Sequence, residues 1–493
     1  MRIEARTPLD HPVDEVLAWH ERHGALVRLT PPGMARIEDP DAGGLEVGRR
    51  VAVRLGPPLL PTGLSPRWEL RHASREDRGS GATSVHSFVD AQVTGPFRTW
   101  RHQHEIAGTG SGSSEIRDRI DLELPGGIGS TGEAAGGGGA DLTGGIGGLP
   151  AREVRRTIER MLAFRGAQLR EDLAFHARYA GSPRLVVAIA GASGLIGTQL
   201  VALLRTGGHR VIRMVRGRAE GPDEIPWDPE RGELDPADLE GVDAVVNLAG
   251  RPISTRFTAR AEREILTSRV RGGDLIARTL ARMKDGADGA SAGPRVLVQA
   301  SAIGAYGAQR PGEVLTEDDA FGDDVLARVC EEWEASSAPA ARAGVRVVHL
   351  RTGIVLSDGG GALLPQIPMF LAGIGGRLAA PDAVLSWITL DDMTRAYAHA
   401  LCTEDLEGPV NAVAPAPVTS REFARTLGRV LHRPALVPVP GFGPALLLGS
   451  EGAKELVRAD QDVDASRLLG SGFDPAHTEL EQALRHVLRR PMV

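Results

Sequence analysis

Cysteine is scarce in this sequence, and long apolar runs are absent. Cys330 and Cys402 are the only two cysteines among 493 residues, which excludes a disulfide framework and leaves too few thiolates for a zinc site without several histidines. No segment is apolar over the length of a transmembrane helix, and the first residues, MRIEARTPLDHP, lack the apolar centre of a signal peptide. These absences predict a cytoplasmic protein that does not associate with membranes.

A large excess of charge of one sign is also missing. The 57 Lys and Arg residues nearly balance the 64 Asp and Glu residues, which gives a net charge of -7. This slightly acidic balance argues against nucleic acid or an acidic membrane surface as the main partner, and we expect a small-molecule substrate. The hydrophobic content of 42% is enough for the cores of two or three domains.

The clearest functional signal is the stretch 185–197, LVVAIAGASGLIG. Its apolar first half predicts a buried strand, three glycines follow at three-residue spacing, and the residues after them have helical periodicity. A glycine turn of this kind lets backbone N–H groups approach a pyrophosphate, and the helix N-terminus adds partial positive charge there. The pattern predicts a dinucleotide site. Its predicted contacts are Gly191, Ser193, Gly194, Leu195, Ile196 and Gly197.

Cations follow the next predicted strand, His209 to Val215. Arg213, Arg216 and Arg218 stand where an NAD enzyme would carry an acid for the ribose hydroxyls. Because cations suit a 2′-phosphate, the sequence favours NADP(H), with Arg216 as the predicted contact and NAD(H) as the alternative cofactor. A solvated basic loop is the other interpretation of these arginines.

Strands and helices continue to alternate after this region. The run DAVVNLAG predicts a strand that ends at Asn247, a long helix is predicted from Ala259 to Met283, and a further strand from Arg295 ends at Ser301. This alternation predicts an α/β fold with a doubly wound parallel sheet of the Rossmann type. Ligands of such folds bind outside the carboxyl ends of the strands.

The first 180 residues show a different pattern, with several short β-like runs before one long amphipathic helix, Val154 to Tyr179. The order of helix, antiparallel strands and closing helix resembles the α+β helix-grip fold of the polyketide cyclase and START-like (SRPBCC) superfamily. The phrases WHERHGALVRLTPP and GPFRTWRHQHE look like those of the domain fused to one group of extended reductases. The resemblance implies a cavity for a small apolar ligand, or a partner surface.

Two histidines in this part alternate with a tryptophan. Trp100, His102 and His104 share one face of a predicted strand, and His-x-His is also found in metal sites. No carboxylate or third histidine stands at a recognisable spacing. We therefore predict no metal, and expect these histidines and His20 to line a cavity or to be hydrogen-bonded in the core. Between Gly126 and Gly148, twelve of 23 residues are glycine, which predicts a disordered insertion.

Longer phrases extend the resemblance to a family. The segments SAIGAYG, CEEWEA, RTGIVLSDGGGALLPQ and SWITLDD are similar to those of the atypical extended short-chain dehydrogenase/reductase group called epimerase family proteins, over about residues 184–490. The resemblance implies three domains: helix-grip (1–180), NADP-binding Rossmann (184–405) and a small α/β lid of unknown function (406–493). It also implies that Leu248 and Ala249 pass the adenine ribose and that Arg269 faces the cofactor phosphates.

The proton-transfer groups of working dehydrogenases are missing. Ser301 fits the serine that holds the substrate oxygen, but alignment of CEEWEA on the pattern Y-x-x-x-K puts Leu326 at the tyrosine and Cys330 at the lysine. We interpret Cys330 as a packed thiol. Tyr306 is a second catalytic candidate, although a phenol without a neighbouring lysine is a poor base at neutral pH.

Two acidic clusters are interpreted as structural. Residues 317–319 are predicted to form a loop or helix cap, and Asp391 and Asp392 are predicted to cap a helix that starts at Met393. Two functions remain open at this point. One is an NADP(H)-dependent oxidoreductase or nucleoside-diphosphate-sugar epimerase-like enzyme on an unidentified small molecule. The other is a non-catalytic NADP(H)-binding sensor whose N-terminal domain holds an apolar ligand or a partner.

Overall fold

The computed structural model describes residues 1–39, 43–57, 64–125, 150–253, 255–285, 293–435 and 458–492. The predicted glycine-rich insertion at 126–148 lies outside these residues. Among the helices in the described ranges, none is both long and apolar enough to cross a membrane.

An antiparallel sheet of seven strands and one long helix form the N-terminal part. Its strands are β1 (Arg2–Leu9), β2 (Ala35–Ile37), β3 (Arg50–Leu55), β4 (Arg67–Arg78), β5 (Val85–Thr94), β6 (Thr99–Gly110) and β7 (Ser113–Glu123), in the order β1-β7-β6-β5-β4-β3-β2. Its helices are α1 (Val13–Glu21), α2 (Ala25–Arg28) and α3 (Ala151–Arg178). The apolar stripe of α3, including Ile158 and Leu162, packs on Trp100 and Ile120 of the sheet. The predicted antiparallel strands with one long closing helix are confirmed, and the resemblance to the START-like superfamily stays a prediction.

The part of the chain that follows α3 forms a parallel sheet. The next elements are β8 (Val186–Ala190), α4 (Leu195–Thr206), β9 (Arg210–Val215), β10 (Glu224–Pro226), β11 (Ala244–Asn247), α5 (Ala259–Asp285), β12 (Val296–Ala302), β13 (Gln309–Leu315), α6 (Val325–Ala335), α7 (Ala338–Arg342) and β14 (Arg346–Thr352). With a last strand, β19 (Gly408–Ala412), the order β10-β9-β8-β11-β12-β14-β19 reverses direction after β8, as a doubly wound fold requires. Helices cover both faces, so the central strands are apolar without alternation. The predicted Rossmann fold is confirmed.

The last part of the chain completes this sheet and adds smaller units. Its elements are β15 (Ile354–Ser357), β16 (Gly360–Gly361), α8 (Gln366–Leu371), β17 (Val384–Leu385), β18 (Trp387–Thr389), α9 (Leu390–Cys402), β19 (Gly408–Ala412), β20 (Val418–Thr419), α10 (Ser420–Leu431), β21 (Asp460–Val463), α11 (Ser466–Gly470) and α12 (Leu480–Val487). Strand β19 pairs with β14, so the parallel sheet extends beyond residue 405. A separate core joins α8, α10 and α12.

Candidate functional site

The glycine turn lies between β8 and α4, against the end of β11. Gly191 has φ +80°, and a Cβ on it would lie 2.8 Å from the Leu248 carbonyl atoms. A Cβ on Gly197 would lie 2.2 Å from the Gly191 oxygen. Gly194 has an ordinary φ of -73°, and the nearest atom to a Cβ there is 3.3 Å away. Gly191 and Gly197 therefore shape the turn, whereas Gly194 leaves its outer surface open.

The N-terminus of α4 has no internal cap. Gly194 is the N-cap residue and supplies no side-chain oxygen. Within the described ranges, the first-turn N–H groups of Leu195, Ile196 and Gly197 have no backbone acceptor, and Ser193 and Gly194 are exposed. Uncapped N–H groups at a helix N-terminus form an anion-binding surface. The turn has the chemistry that the sequence predicted for a pyrophosphate.

The segment after β11 forms the neighbouring wall. The Leu248 N–H donates to the Ala190 oxygen (2.9 Å), which extends the pairing of β11 with β8 by one residue. The Ala249 N–H donates to Oδ1 of the buried Asn247 (3.1 Å). Leu248 and Ala249 are half-buried beside the glycine turn. Their predicted contact with the adenine ribose stays a prediction, consistent with this placement.

The three arginines in and after β9 differ in their contacts. Arg213 donates to Glu224 of β10 (2.8 Å) and is therefore engaged within the protein. Arg216 and Arg218 are exposed, and no hydrogen bond or ion pair ties either of them to another residue of the described chain. Arg216 thus remains the candidate for a 2′-phosphate contact.

Arg269 lies against the loop that follows β11. Its Nη1 donates to the Arg251 oxygen (3.0 Å) and the Ile265 oxygen (3.2 Å). The guanidinium stands 4.9 Å from the Trp333 ring centroid, and burial lowers its pKa. Its predicted contact with the phosphates stays a prediction.

Ser301 is part of a buried ionic network. Its hydroxyl donates to Glu334 Oε1 (2.6 Å), and the Glu334 carboxylate accepts from Arg351 Nε (2.9 Å) and Nη2 (3.0 Å). All three residues are less than 9% exposed. The serine predicted to hold a substrate oxygen donates to a carboxylate of the protein, and its catalytic role stays a prediction.

Tyr306 belongs to the same network. The residue is fully buried, and its hydroxyl donates to Asn411 Oδ1 (2.7 Å) and accepts from Arg351 Nη1 (3.1 Å). The Arg351 guanidinium also stacks 5.0 Å from the Tyr306 ring centroid. Burial raises the pKa of the phenol, so the phenolate that would act as a base is still less populated at neutral pH than in water. A catalytic role for Tyr306 stays a prediction that this placement does not favour.

The positions of the missing tyrosine and lysine carry no proton-transfer group. Cys330 is buried on α6 beside the Ser301 hydroxyl, and burial together with the nearby Glu334 charge raises its pKa to about 12. Leu326 packs near Gly304. The interpretation of Cys330 as a packed thiol agrees with these surroundings.

One prediction about the acidic clusters is wrong. Asp391 and Asp392 do not cap α9, because the helix begins at Leu390, three residues before the predicted Met393, and Thr389 Oγ1 accepts the Asp392 N–H (3.1 Å). The two aspartates lie inside the first turn. Their carboxylates pair with Arg28 and Arg395, which are buried at the boundary with the N-terminal part.

The N-terminal part encloses a small cavity of about 60 Å³. Its walls are not purely apolar. The apolar lining includes Ala25, Leu26, Leu29, Leu45, Val51, Leu70 and Phe88, and the polar lining includes His20, His72, Asp90, His104 and Arg165. As predicted, His104 lines a cavity and His102 is hydrogen-bonded, but the partner of both is a carboxylate, Asp118, from the adjacent strand.

Sequence reasoning did not assign roles to Glu334, Arg351 or Asn411. The available signal was position alone, since Arg351 and Asn411 lie near the carboxyl ends of β14 and β19, where ligands of α/β sheets bind. Their contacts with one another and with Tyr306 span 17 to 105 residues of sequence and follow from sheet order.

Comparison with known proteins agrees with this site. A model of the NAD dependent epimerase/dehydratase family matches residues 187–409, and a domain of unknown function (DUF1731) matches residues 439–487, of which 458–487 are described. The epimerase family protein Mb2239 of Mycobacterium bovis is 40% identical over 307 residues, which are 62% of this chain and 98% of the relative. The chain belongs to the epimerase family.

Two solved structures extend the family comparison. The crystal structure named nucleoside-diphosphate sugar epimerase from Corynebacterium glutamicum is 30% identical with a TM-score of 0.76, and the match covers 99% of this chain and 90% of that one. Its coverage includes the antiparallel sheet as well as the Rossmann fold. The structure of human epimerase family protein SDR39U1 with NADPH is 31% identical with a TM-score of 0.55, covering 62% of this chain and 99% of that one.

Proposed function

We propose that this epimerase family chain binds NADP(H) at the turn 191–197 and acts as an NADP(H)-dependent oxidoreductase or epimerase-like enzyme on an unidentified small molecule. The observation that carries the proposal is the open glycine turn at the uncapped N-terminus of α4. NADPH in the structure of the human relative supports the choice of cofactor.

The residues present fit such a cofactor. The turn offers unpaired backbone N–H groups to a pyrophosphate, and the exposed Arg216 offers a cation to a 2′-phosphate. When bound, the nicotinamide supplies a carbon that accepts or donates hydride. In this proposal the first 180 residues are a START-like ligand-binding domain, and the boundary of the lid follows β19.

Proton transfer is the step for which the chain provides the fewest suitable side chains. The Ser301 hydroxyl is directed to Glu334, the Tyr306 phenol is enclosed, and the Cys330 thiol is neutral. None of these three groups combines an open surface with a pKa near neutrality. The proposed chemistry is therefore hydride transfer between the substrate and the nicotinamide. The accompanying proton of the substrate passes to or from water, or to or from another group of the substrate itself.

Cofactor titration with two arginine variants tests the proposal. In Arg216→Ala we expect the affinity for NADPH to fall about tenfold, the loss of one charge-assisted contact, while the weaker affinity for NADH stays nearly unchanged. Arg213→Ala is the matched control, because Arg213 already pairs with Glu224. Equal losses for both nucleotides in Arg216→Ala would remove the 2′-phosphate assignment, and binding of neither nucleotide by the wild type would remove the function.

Turnover is tested separately. Native mass spectrometry of the purified protein shows whether a sugar nucleotide or another small molecule is already bound. A substrate screen then follows nicotinamide absorbance. Cofactor binding without any substrate-dependent change in absorbance would support the non-catalytic alternative.

The contacts of helix α2 favour the alternative function, a non-catalytic NADP(H)-binding sensor. Ala25, Leu26 and the following Leu29 line the N-terminal cavity, whereas Arg28 donates to Gln199 of α4 (2.9 Å). A Cβ on Gly24 would lie 2.7 Å from Ala202 of α4. One short helix therefore contacts both the cavity and the helix that starts at the cofactor turn.

A second contact reaches the turn from the same segment. The Gly33 N–H donates to Asp358 Oδ1 (3.0 Å), and a Cβ on the nearby Gly360 would lie 3.0 Å from the Leu195 side chain. Occupancy of the cavity would in this way alter the affinity for the cofactor, which is what a sensor requires.

Two glycines allow a controlled test of this coupling. Gly24 and Gly48 both have positive φ, +98° and +95°, but no atom lies within 4 Å of a Cβ on Gly48. Gly24→Ala and Gly48→Ala therefore introduce similar backbone strain, but only the Cβ added by Gly24→Ala contacts α4. We expect Gly24→Ala to change the NADPH dissociation constant and Gly48→Ala to leave it unchanged. Equal dissociation constants in the two variants would contradict coupling through α2.

A further inference from the structure

A buried polar cluster lies on the face of the N-terminal sheet that α3 covers, remote in sequence from the cofactor turn. It contains His102 and His104 of β6 and Asp118 of β7, all no more than 7% exposed. The strand register places His104 directly opposite Asp118 and His102 opposite Asp90 of β5. Because these side chains project from hydrogen-bonded neighbouring strands, the sheet holds them in a defined arrangement.

One carboxylate oxygen is shared by the two imidazoles. Asp118 Oδ1 lies 2.8 Å from His102 Nε2 and 2.8 Å from His104 Nδ1. The three groups offer ligand atoms that all lie within 4.8 Å of one another. Ligands of a tetrahedral zinc ion stand about 3.3 Å apart, given bonds of about 2.0–2.1 Å. The two 2.8 Å separations are about 0.5 Å shorter than that spacing, so the side chains would move apart to admit an ion.

Among the described residues no guanidinium lies within hydrogen-bond distance of the Asp118 carboxylate, although the buried Arg165 attracts it electrostatically. Asp172, fully buried, is held by Arg28 through two hydrogen bonds of 2.7 and 2.8 Å. The described contacts of Asp118 within hydrogen-bond distance are to imidazoles. A carboxylate removed from water needs a positive partner, and a metal ion supplies one.

We propose that His102, His104 and Asp118 form a binding site for a transition-metal ion of the zinc class. Two imidazole nitrogens and one carboxylate oxygen are a ligand set that leaves further coordination positions open. Asp90 Oδ2 lies 3.5 Å from His104 Nε2, where an outer carboxylate orients a metal-bound histidine.

The cavity of about 60 Å³ adjoins this site through His104 and Asp90. Arg165 of α3 also lines it, and its guanidinium is attracted to Asp118 and Asp90. With a divalent ion bound to the imidazoles and Asp118, Arg165 would favour an anionic ligand on the ion, such as a carboxylate.

A second histidine cluster is a weaker candidate and serves as the internal control. Glu171, His477 and His486 also bring three ligand atoms together. Glu171 is already paired with Arg395 (3.0 Å), and His486 faces Asp391, which Arg28 holds at 2.8 Å. Two buried guanidinium groups therefore neutralise the carboxylates of that cluster and repel a cation.

Metal titration of the full chain tests the proposal. Protein stripped with a chelator is titrated with Zn²⁺ by calorimetry and with Co²⁺ by visible absorption. We expect one ion per chain. Since changes in the outer shell of a metal site already cost roughly 10–100-fold, His102→Gln and Asp118→Asn should weaken binding by about 100-fold or more. His477→Gln should leave it unchanged. Absence of stoichiometric binding, or loss in His477→Gln alone, would overturn the proposal.

A measurement on the wild type avoids dependence on the folding of these variants. The ¹⁵N resonances of the imidazoles report which nitrogen a metal occupies. Addition of Zn²⁺ should shift Nε2 of His102 and Nδ1 of His104 while His477 and His486 stay in place. Unmoved resonances of His102 and His104 at saturating Zn²⁺ would overturn the site, even if an ion binds elsewhere.

Discussion

The Ser301 hydroxyl donates a 2.6 Å hydrogen bond to Glu334, whose carboxylate is at the same time chelated by Arg351. The serine at the end of β12 is thereby tied into an ion pair whose side chains are 9% and 4% exposed. The sequence alone does not distinguish a structural role of Ser301 from a role in substrate contact, and this arrangement does. Ser301 stabilises the orientation of Glu334 in the structure, and it would donate to a substrate oxygen only if that hydrogen bond were exchanged.

The first prediction compares how much Glu334 and Ser301 each contribute to the stability of the folded protein. Glu334→Gln leaves the Arg351 guanidinium buried without a carboxylate, so we expect a loss of about 3–5 kcal/mol in the free energy of unfolding. Ser301→Ala removes one hydrogen bond and keeps the ion pair, and should cost about 1 kcal/mol. Urea unfolding of both variants measures the difference. Similar losses in the two would show that the ion pair is not the dominant interaction.

The second prediction separates two glycines of the cofactor turn. Gly191→Ala places a Cβ 2.8 Å from the Leu248 carbonyl at a φ of +80°, whereas the nearest atom in Gly194→Ala is 3.3 Å away. We expect the first variant to lose stability by about 1–3 kcal/mol and to lose NADPH binding. The second should keep its melting temperature. A lower melting temperature in Gly194→Ala than in Gly191→Ala would contradict this description of the turn.

The third prediction is that both thiols are inert in the folded protein. Burial raises the pKa of Cys330 to about 12 and that of Cys402 to about 11. Thiolate is therefore nearly absent at neutral pH, and a disulfide reagent such as DTNB should react with the native protein only as fast as the protein unfolds. In denaturant both cysteines should react at once. Rapid modification of Cys330 in the native state would favour a nucleophilic role instead.

The fourth prediction is a loss of stability in mild acid. His176 of α3 packs against Gly207 at the end of α4, and burial lowers its pKa to about 3. Between pH 6.5, its ordinary value, and pH 3, the unfolded chain binds a proton that the folded chain excludes. The contribution of His176 to the free energy of unfolding is therefore fully present above pH 6.5, and it is lower by roughly 2–3 kcal/mol at pH 4.5.

A glutamine variant isolates that contribution. We expect the unfolding free energy of His176→Gln to decrease less than that of the wild type between pH 7 and pH 4.5. His432→Asn is the control, because His432 is exposed and its φ of 54° suits asparagine. An unchanged pH dependence in His176→Gln would assign the acid sensitivity to other groups.

Much of the fold was predictable because its signals are local. The apolar strand β8, the glycines after it and the amphipathic stripe of α3 are each contained within one segment, and the structure confirms all three. The cap of α9 was not predictable to the residue, because Thr389 competed with two adjacent aspartates for the same role. The glycine turn was identified for the same local reason, although its contact with a cofactor stays a prediction.

The partners of the candidate residues depended on strands that meet only in the folded chain. Ser301 was recognisable as the end of a strand, but Glu334 and Arg351 reach it through α6 and β14, 33 and 50 residues further along. Asp118 reaches His102 and His104 because β7 pairs with β6 in one register, and a shift of one residue would turn the carboxylate to the other face. The sequence by itself determined the periodicities and the turn chemistry. Only the tertiary structure decided which charges neutralise each other, because burial and strand order set those distances.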